Sequence, residues 1–301
     1  SSLTPDITTI QNWQADHWLG SAFGFIRPLG NNEPVLETSD VQNHSWIATF
    51  SNDPGNAIAI DVTRRLDYTI ERDDYVAVAG LANSSTAGKP HPDLLAHSYN
   101  AITVGCTDGG HSQATTRFDV AGRIAPDIVA PAGTTSTATP MIGSAAALMI
   151  DAARSNPAWI NAQQSELVKA MLLAGATKDE FADWDRTTTR PLDEVYGAGE
   201  VNVYNSYQIL AAGPQTPAAD SYVGHAGWLM ASTDSTDTTL FLSVDHRYVL
   251  ADFSLVATWN RQVADGDPSP DAWSDPQVHV ADVDLHLWSA QDFALDSLVD
   301  Q

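Results

Sequence analysis

Gly133-Thr134-Thr135-Ser136-Thr137-Ala138-Thr139-Pro140 leads straight into Met141-Ile142-Gly143-Ser144-Ala145-Ala146-Ala147-Leu148-Met149-Ile150, an apolar run of mostly small residues. Proline's missing N–H and fixed φ suit the first position of a helix, so Pro140 predicts a helix that continues from Met141 to about Ala153. Ser136 then stands beside unpaired backbone N–H groups and the positive end of a helix dipole. Such groups favour the negative charge that develops on an attacked carbonyl oxygen. Taken alone, a serine at a helix start is an ordinary cap. The small residues Ala138, Gly143, Ser144 and Ala145 let this helix pack close to a sheet.

On either side of that stretch the chain alternates between two patterns. Tyr75-Val76-Ala77-Val78-Ala79, Ala101-Ile102-Thr103-Val104-Gly105 and Asp127-Ile128-Val129-Ala130-Pro131 are short apolar runs that end in turn residues. They suit strands buried on both faces of a parallel sheet. A further strand and exit loop is read over 39–46. Helices are read over 10–18, 57–73, 165–176 and 202–210. Strands alternating with helices indicate an α/β domain over 1–212 with a mostly parallel sheet flanked by helices. Gly213-Pro214-Gln215-Thr216-Pro217 reads as a linker. Beyond it, Thr238-Leu240-Leu242-Val244, Phe253-Leu255-Ala257-Trp259 and Val278-Val280-Val283-Leu285-Leu287 alternate with period 2. These predict an antiparallel β-sandwich over 217–301, itself truncated.

The chain has 301 residues, of which 43% are hydrophobic, enough for one large core or two domains. Its net charge is -24, with 14 Lys and Arg against 38 Asp and Glu, a surface that repels nucleic acid. A single cysteine, Cys106, excludes an intrachain disulfide framework. No stretch reads as a signal peptide or a membrane span, and the start at Ser1 fits removal of a targeting segment.

The segment around Ser136 resembles the signature of the subtilisin-like serine proteases, Gly-Thr-Ser-x-Ala-Thr-Pro, with Thr134 in place of the first glycine. Ala125-Pro126-Asp127-Ile128-Val129-Ala130-Pro131 is similar to the family's Lys-Pro-Asp-Ile-Val-Ala-Pro segment. Tyr99-Asn100-Ala101-Ile102-Thr103-Val104-Gly105 is similar to its Asn-x-Ile-Thr-Val-Gly strand. Residues 76–83 resemble the strand and loop that present an oxyanion asparagine. Ser45-Trp46-Ile47 falls where the family has a substrate-lining Ser-Leu-Gly. Residues 167–172 and Tyr196-Gly197-Ala198-Gly199-Glu200-Val201-Asn202 resemble its closing helix and its Tyr-Gly-x-Gly-x-Val-Asn motif. These segments keep the family's order over residues 10–210.

The resemblance implies a serine endopeptidase that acts on protein or peptide substrates. Ser136 would attack the peptide carbonyl and form an acyl-enzyme, while the Asn83 side chain and the Ser136 N–H hold the oxyanion. Ser45, Trp46 and Ile47 on one side, and Gly80, Leu81 and Ala82 on the other, would flank the pocket for the residue before the cut. Their backbones would pair with an extended substrate. The chemistry needs no cofactor. Structural calcium is compatible with the acidic surface, although no dense Asp/Asn/Gly loop of calcium-binding spacing is present. The C-terminal part resembles pre-peptidase or P-domain-like modules through Ala257-Thr258-Trp259-Asn260 and Val283-Asp284-Leu285-His286-Leu287. Trp228, Trp259, Trp273 and Trp288 are candidates for a polysaccharide-binding or cell-surface face, or for core packing. A secreted or extracellular location goes with this reading.

The pattern is broken ahead of the oxyanion segment, where the family carries its Asp and its His. His17 is not followed by Gly-Thr, and His44 lies in a strand exit. His91, His97 and His111 come after the oxyanion segment. The expectation is a fragment of an active parent, with Asp and His upstream and this chain alone inactive. The competing expectation is a catalytically inactive subtilisin-fold protein with a binding or structural role. An α/β-hydrolase esterase would need Gly-x-Ser-x-Gly, and Ser136 lies in Thr-Thr-Ser-Thr-Ala. The glycine replacements Thr134 and Ala82 are expected to tighten their loops.

Overall fold

The computed structural model describes residues 3–4, 6–7, 9–20, 23–84, 89–119, 121–187, 190–216, 223–231, 253–264, 277–281 and 283. In chain order the elements are α1 (Ala15–Trp18), β1 (Val41–His44), α2 (Ala57–Asp73), β2 (Val76–Gly80), β3 (Ile102–Cys106), β4 (Ala114–Thr115), β5 (Ile124–Ala125) and β6 (Ile128–Ala130). There follow α3 (Thr135–Ser155), α4 (Ser165–Gly175), α5 (Val203–Ala212), β7 (Gln262–Ala264) and β8 (Gln277–His279). The main sheet runs β1-β2-β3-β6, and every neighbouring pair in it is parallel.

β2 shows why a continuous apolar run makes an interior strand. Successive side chains point to opposite faces. Val76 and Val78 enter a core shared with Ile142, Ala145, Ala146 and Met149 of α3. Ala77 and Ala79 enter a second core with Ala59, Val62, Leu66 and Ile70 of α2. Each fully buried valine contributes about 1.5–3 kcal/mol.

The helix over 57–73 contains Thr and Asp that disfavour a helix interior, yet their polar atoms are satisfied. Thr63 Oγ1 donates to the Ala59 carbonyl, and Asp67 accepts from Ser98 and from the amides of Tyr99 and Asn100. The Asp53 carboxylate accepts from the first-turn amides of Ile58 and Ala59. At the other end, Asp74 adopts a left-handed conformation and its N–H returns to the Ile70 carbonyl.

Three expectations change. The helix over 10–18 shrinks to Ala15–Trp18, because only Trp18 buries its side chain while Ile10 stays 82% exposed. A short helix without a packed face does not persist. The helix after Ser136 begins at Thr135, not at Met141, so Pro140 lies inside it. Proline there forfeits only the bond to the Ser136 carbonyl four residues back. Finally, 253–261 carries no strand. In the C-terminal part the described strands are β7 and β8, an antiparallel pair. Most of the expected sandwich, with Trp273 and Trp288, lies outside the described residues.

Candidate active site

Parallel strands put their carboxyl ends on one side of the sheet, the usual location of sites in α/β proteins. Ser45 directly follows β1, Asn83 lies just past β2, and 131–134 connect β6 to α3. Three distant segments thereby meet. The Ser136 hydroxyl donates to the Ser45 carbonyl at 3.3 Å. The Thr135 N–H donates to Asn83 Oδ1 at 2.8 Å, and Thr135 Oγ1 lies 2.6 Å from the Leu81 carbonyl and 2.9 Å from Asn83 Oδ1.

These bonds orient Asn83. A backbone N–H only donates, so the asparagine oxygen faces Thr135 and its NH₂ end is turned away. Asn83 is exposed. The Ser136 N–H belongs to the first turn of α3 and has no partner among the described residues. The Ser136 hydroxyl and its N–H thus stand at the positive end of a helix of 21 residues, next to the residue that Asn83 bonds.

Two glycines permit this approach. A Cβ on Gly80 would sit 2.6 Å from Thr139 Oγ1, whose hydroxyl donates to the Thr135 carbonyl at 2.7 Å. The bare backbone of Gly80 lets the start of α3 rest on the end of β2. A Cβ on Gly105 would meet the His111 ring at 2.6 Å. The backbone of His111 forms an antiparallel bridge with Asn83, so the seat of its ring against Gly105 fixes the segment that the asparagine loop pairs with.

The remaining expected pocket residues are placed differently from one another. Ile47 is exposed, while Trp46 packs edge-on to Trp18 at 5.6 Å and belongs to the α2 core. Leu81 is 1% exposed, and its N–H donates to the Val104 carbonyl. The Leu81 and Ala82 carbonyls accept from Thr135 Oγ1 and the Ser112 N–H. β2 is interior to the sheet, with β1 and β3 on its two sides. β1 pairs with β2 only as far as His44 opposite Ala79, so Gly80-Leu81-Ala82 runs on past β1, with the Leu81 N–H and the Leu81 and Ala82 carbonyls already engaged. The side beyond β1 has no strand among the described residues. Thr134 is extended at φ -148, and Ala82 is not among the positive-φ residues, so neither replacement of glycine tightens its loop.

None of the histidines hydrogen-bonds Ser136 among the described residues. His44 is 4% exposed, wedged edge-on against Trp18 at 4.8 Å and Trp46 at 5.8 Å, with Nε2 on Gln42 Oε1. Burial lowers its pKa to about 4. His111 Nδ1 accepts from the Cys106 N–H, so Nε2 carries the proton and donates to the Val195 carbonyl. His91 is tied to Ser112 Oγ and the Ala114 carbonyl, and His97 stacks on Phe118 at 4.1 Å. The Cys106 thiol is buried and pushed up to about 11 by desolvation, so it is inert. Trp228 lies in the α3–α5 core and donates to the Leu210 carbonyl, which removes it from any polysaccharide-binding face. No helix among the described residues is long and apolar enough to cross a membrane.

No protein-family model and no curated protein matches the chain. Several solved structures are similar in part, among them the following three. The patellamide maturation protease PatA is 20% identical over 58% of this chain and 64% of that one, with a TM-score of 0.38. The Clostridium perfringens CspB protease is 21% identical over 37% and 27%, at 0.29. The epidermin leader peptide processing serine protease EpiP from Staphylococcus aureus is 17% identical over 48% and 43%, at 0.35. At these scores the likeness establishes neither fold nor activity. The chain spans less than two thirds of the length of each.

Thr135 is the site residue that pattern reading passed over. It lies inside the quoted motif, and its task of turning the asparagine is visible only once β2 and α3 are side by side.

Proposed function

We propose that this chain carries the nucleophile half of a serine endopeptidase site, with Ser136 as nucleophile and Asn83 Nδ2 and the Ser136 N–H as the oxyanion donors. The carrying observation is the Thr135 N–H bond to Asn83 Oδ1, which leaves the amide end of Asn83 turned from Thr135, next in sequence to Ser136, whose first-turn N–H has no partner among the described residues. Such donors act on the charge that appears only in the transition state. The proton-transfer half, an imidazole and a carboxylate, comes on this reading from a segment that covers the free side of β1. That side adjoins Ser45, whose carbonyl accepts from the Ser136 hydroxyl, while no base among the described residues does. Peptide substrates fit the same side, adding as an extended strand along 45–47.

The test is peptide hydrolysis by the protein expressed from its full coding sequence, compared with its Ser136→Ala variant. Activity that vanishes in the variant supports the reading. Activity that survives Ser136→Ala contradicts it. A non-catalytic binding or structural role is the second reading, favoured by the lack of an imidazole on Ser136 among the described residues. A protein that cleaves no peptide and takes up no serine-directed label decides for it.

A further inference from the structure

The far end of the sheet holds a feature that the catalytic reading does not use. Arg261 is completely buried, and its guanidinium Nε lies 2.5 Å from Asp67 Oδ2 of α2, a carboxylate that is equally buried. Its Nη1 lies 2.8 Å from Asp119, which also pairs with Arg64 at 2.9 Å. The backbone around Arg261 is held as firmly as the side chain. Its N–H donates to Asn100 Oδ1, and Asn100 Nδ2 donates to its carbonyl and to that of Asp67. On either side, Thr258 Oγ1 donates to the Glu166 carbonyl, Asn260 Nδ2 to Ser165 Oγ, and the Val263 N–H to Glu71. Val263 is buried. One short segment therefore grips α2, the entry to β3 and the start of α4.

We propose that residues 253–264 are a strap belonging to the α/β body, and that Arg261 is the residue that makes the body depend on it. The electrostatics explain the dependence. Asp119 keeps Arg64 when Arg261 is removed, but Asp67 loses its ion-pair partner and keeps its hydrogen bonds from Ser98, Tyr99 and Asn100 and the charge of Arg123. A buried ion left without its partner is strongly destabilising, whereas replacing both ions together is close to neutral. Arg261 Nη2 has no hydrogen-bond partner among the described residues, so the native pair is itself incompletely satisfied. The strap lies at the amino ends of the strands, opposite Ser136, and the inference holds whether or not Ser136 is catalytic.

The test uses the full chain with a site for a sequence-specific protease inserted between Ala231 and Phe253. After cutting, the two pieces should co-elute from a sizing column at micromolar concentration. Pieces of the otherwise unaltered chain that separate overturn the proposal. In the uncut chain, Arg261→Met should shift the unfolding equilibrium by roughly 10²–10³-fold, and its cut pieces should separate. The double variant Arg261→Met, Asp67→Asn should recover most of that shift, and it carries the test if the single variant does not fold. A single variant as stable as the parent, or a double variant no better than the single, overturns the proposal.

Discussion

His44 offers a sharp check on where the proton chemistry does not reside. It lies beside Ser45 in sequence, yet its ring is sandwiched between Trp18 and Trp46 on the α2 face. Desolvation holds its folded pKa near 4, against an ordinary value of 6.5. The unfolded chain therefore takes up a proton at this residue between pH 6.5 and 4 while the folded chain does not. The sign follows from linkage: the stability is fully present above pH 6.5 and is lost as pH falls toward 4. A gap of roughly 2.5 pH units at about 1.4 kcal/mol each is about 3.5 kcal/mol in total, most of it lost by pH 4.5. His44→Gln removes this titration. Urea unfolding of both proteins at pH 7.5 and 4.5 should show the variant losing about 2–3 kcal/mol less than the parent over that interval. His91, His97 and His111 are also lowered by burial, so both curves fall and only their difference is diagnostic. Parallel curves, or a His44 resonance titrating near 6.5, would refute the argument. A His44 pKa that moved on Ser136→Ala would return it to the list of bases.

Two further substitutions test the geometry. Gly80→Ala places a Cβ against Thr139 Oγ1 and the first turn of α3, and should cost about 1–3 kcal/mol in thermal or urea unfolding; an unchanged midpoint would mean that the helix does not rest on β2 as described. In the peptide-cleaving protein, Asn83→Ala should lower kcat by roughly 10²–10³-fold with little change in KM, and a change confined to KM would remove Asn83 from the oxyanion site.

Much of the α/β part was legible because its strands are buried on both faces. The period-2 signal vanishes there, but the β-branched runs and their turn residues remain, and β2, β3 and β6 fall within a residue or so of the segments read. The Ser136 motif was readable only through its resemblance to the subtilisin-like signature, since a serine at a helix start is by itself an ordinary cap. The start of α3 was not, because a proline marks a helix start only when no other group satisfies the amides ahead of it. Here the Thr134 carbonyl and Asn83 Oδ1 do so. The Arg261 pairing with Asp67 was also invisible. Its partners are far apart in the chain, and an isolated arginine in a polar stretch carries no periodic signal. Trp46 and Trp228 show the same limit, because an aromatic side chain reads alike in a pocket or a core until the facing element is known.

The most direct measurement is the structure of the full gene product after reaction with a fluorophosphonate. The account predicts a covalent adduct on Ser136 Oγ whose phosphoryl oxygen lies within hydrogen-bond distance of both Asn83 Nδ2 and the Ser136 N–H. An adduct whose oxygen points away from both donors, or labelling at another residue, would contradict it.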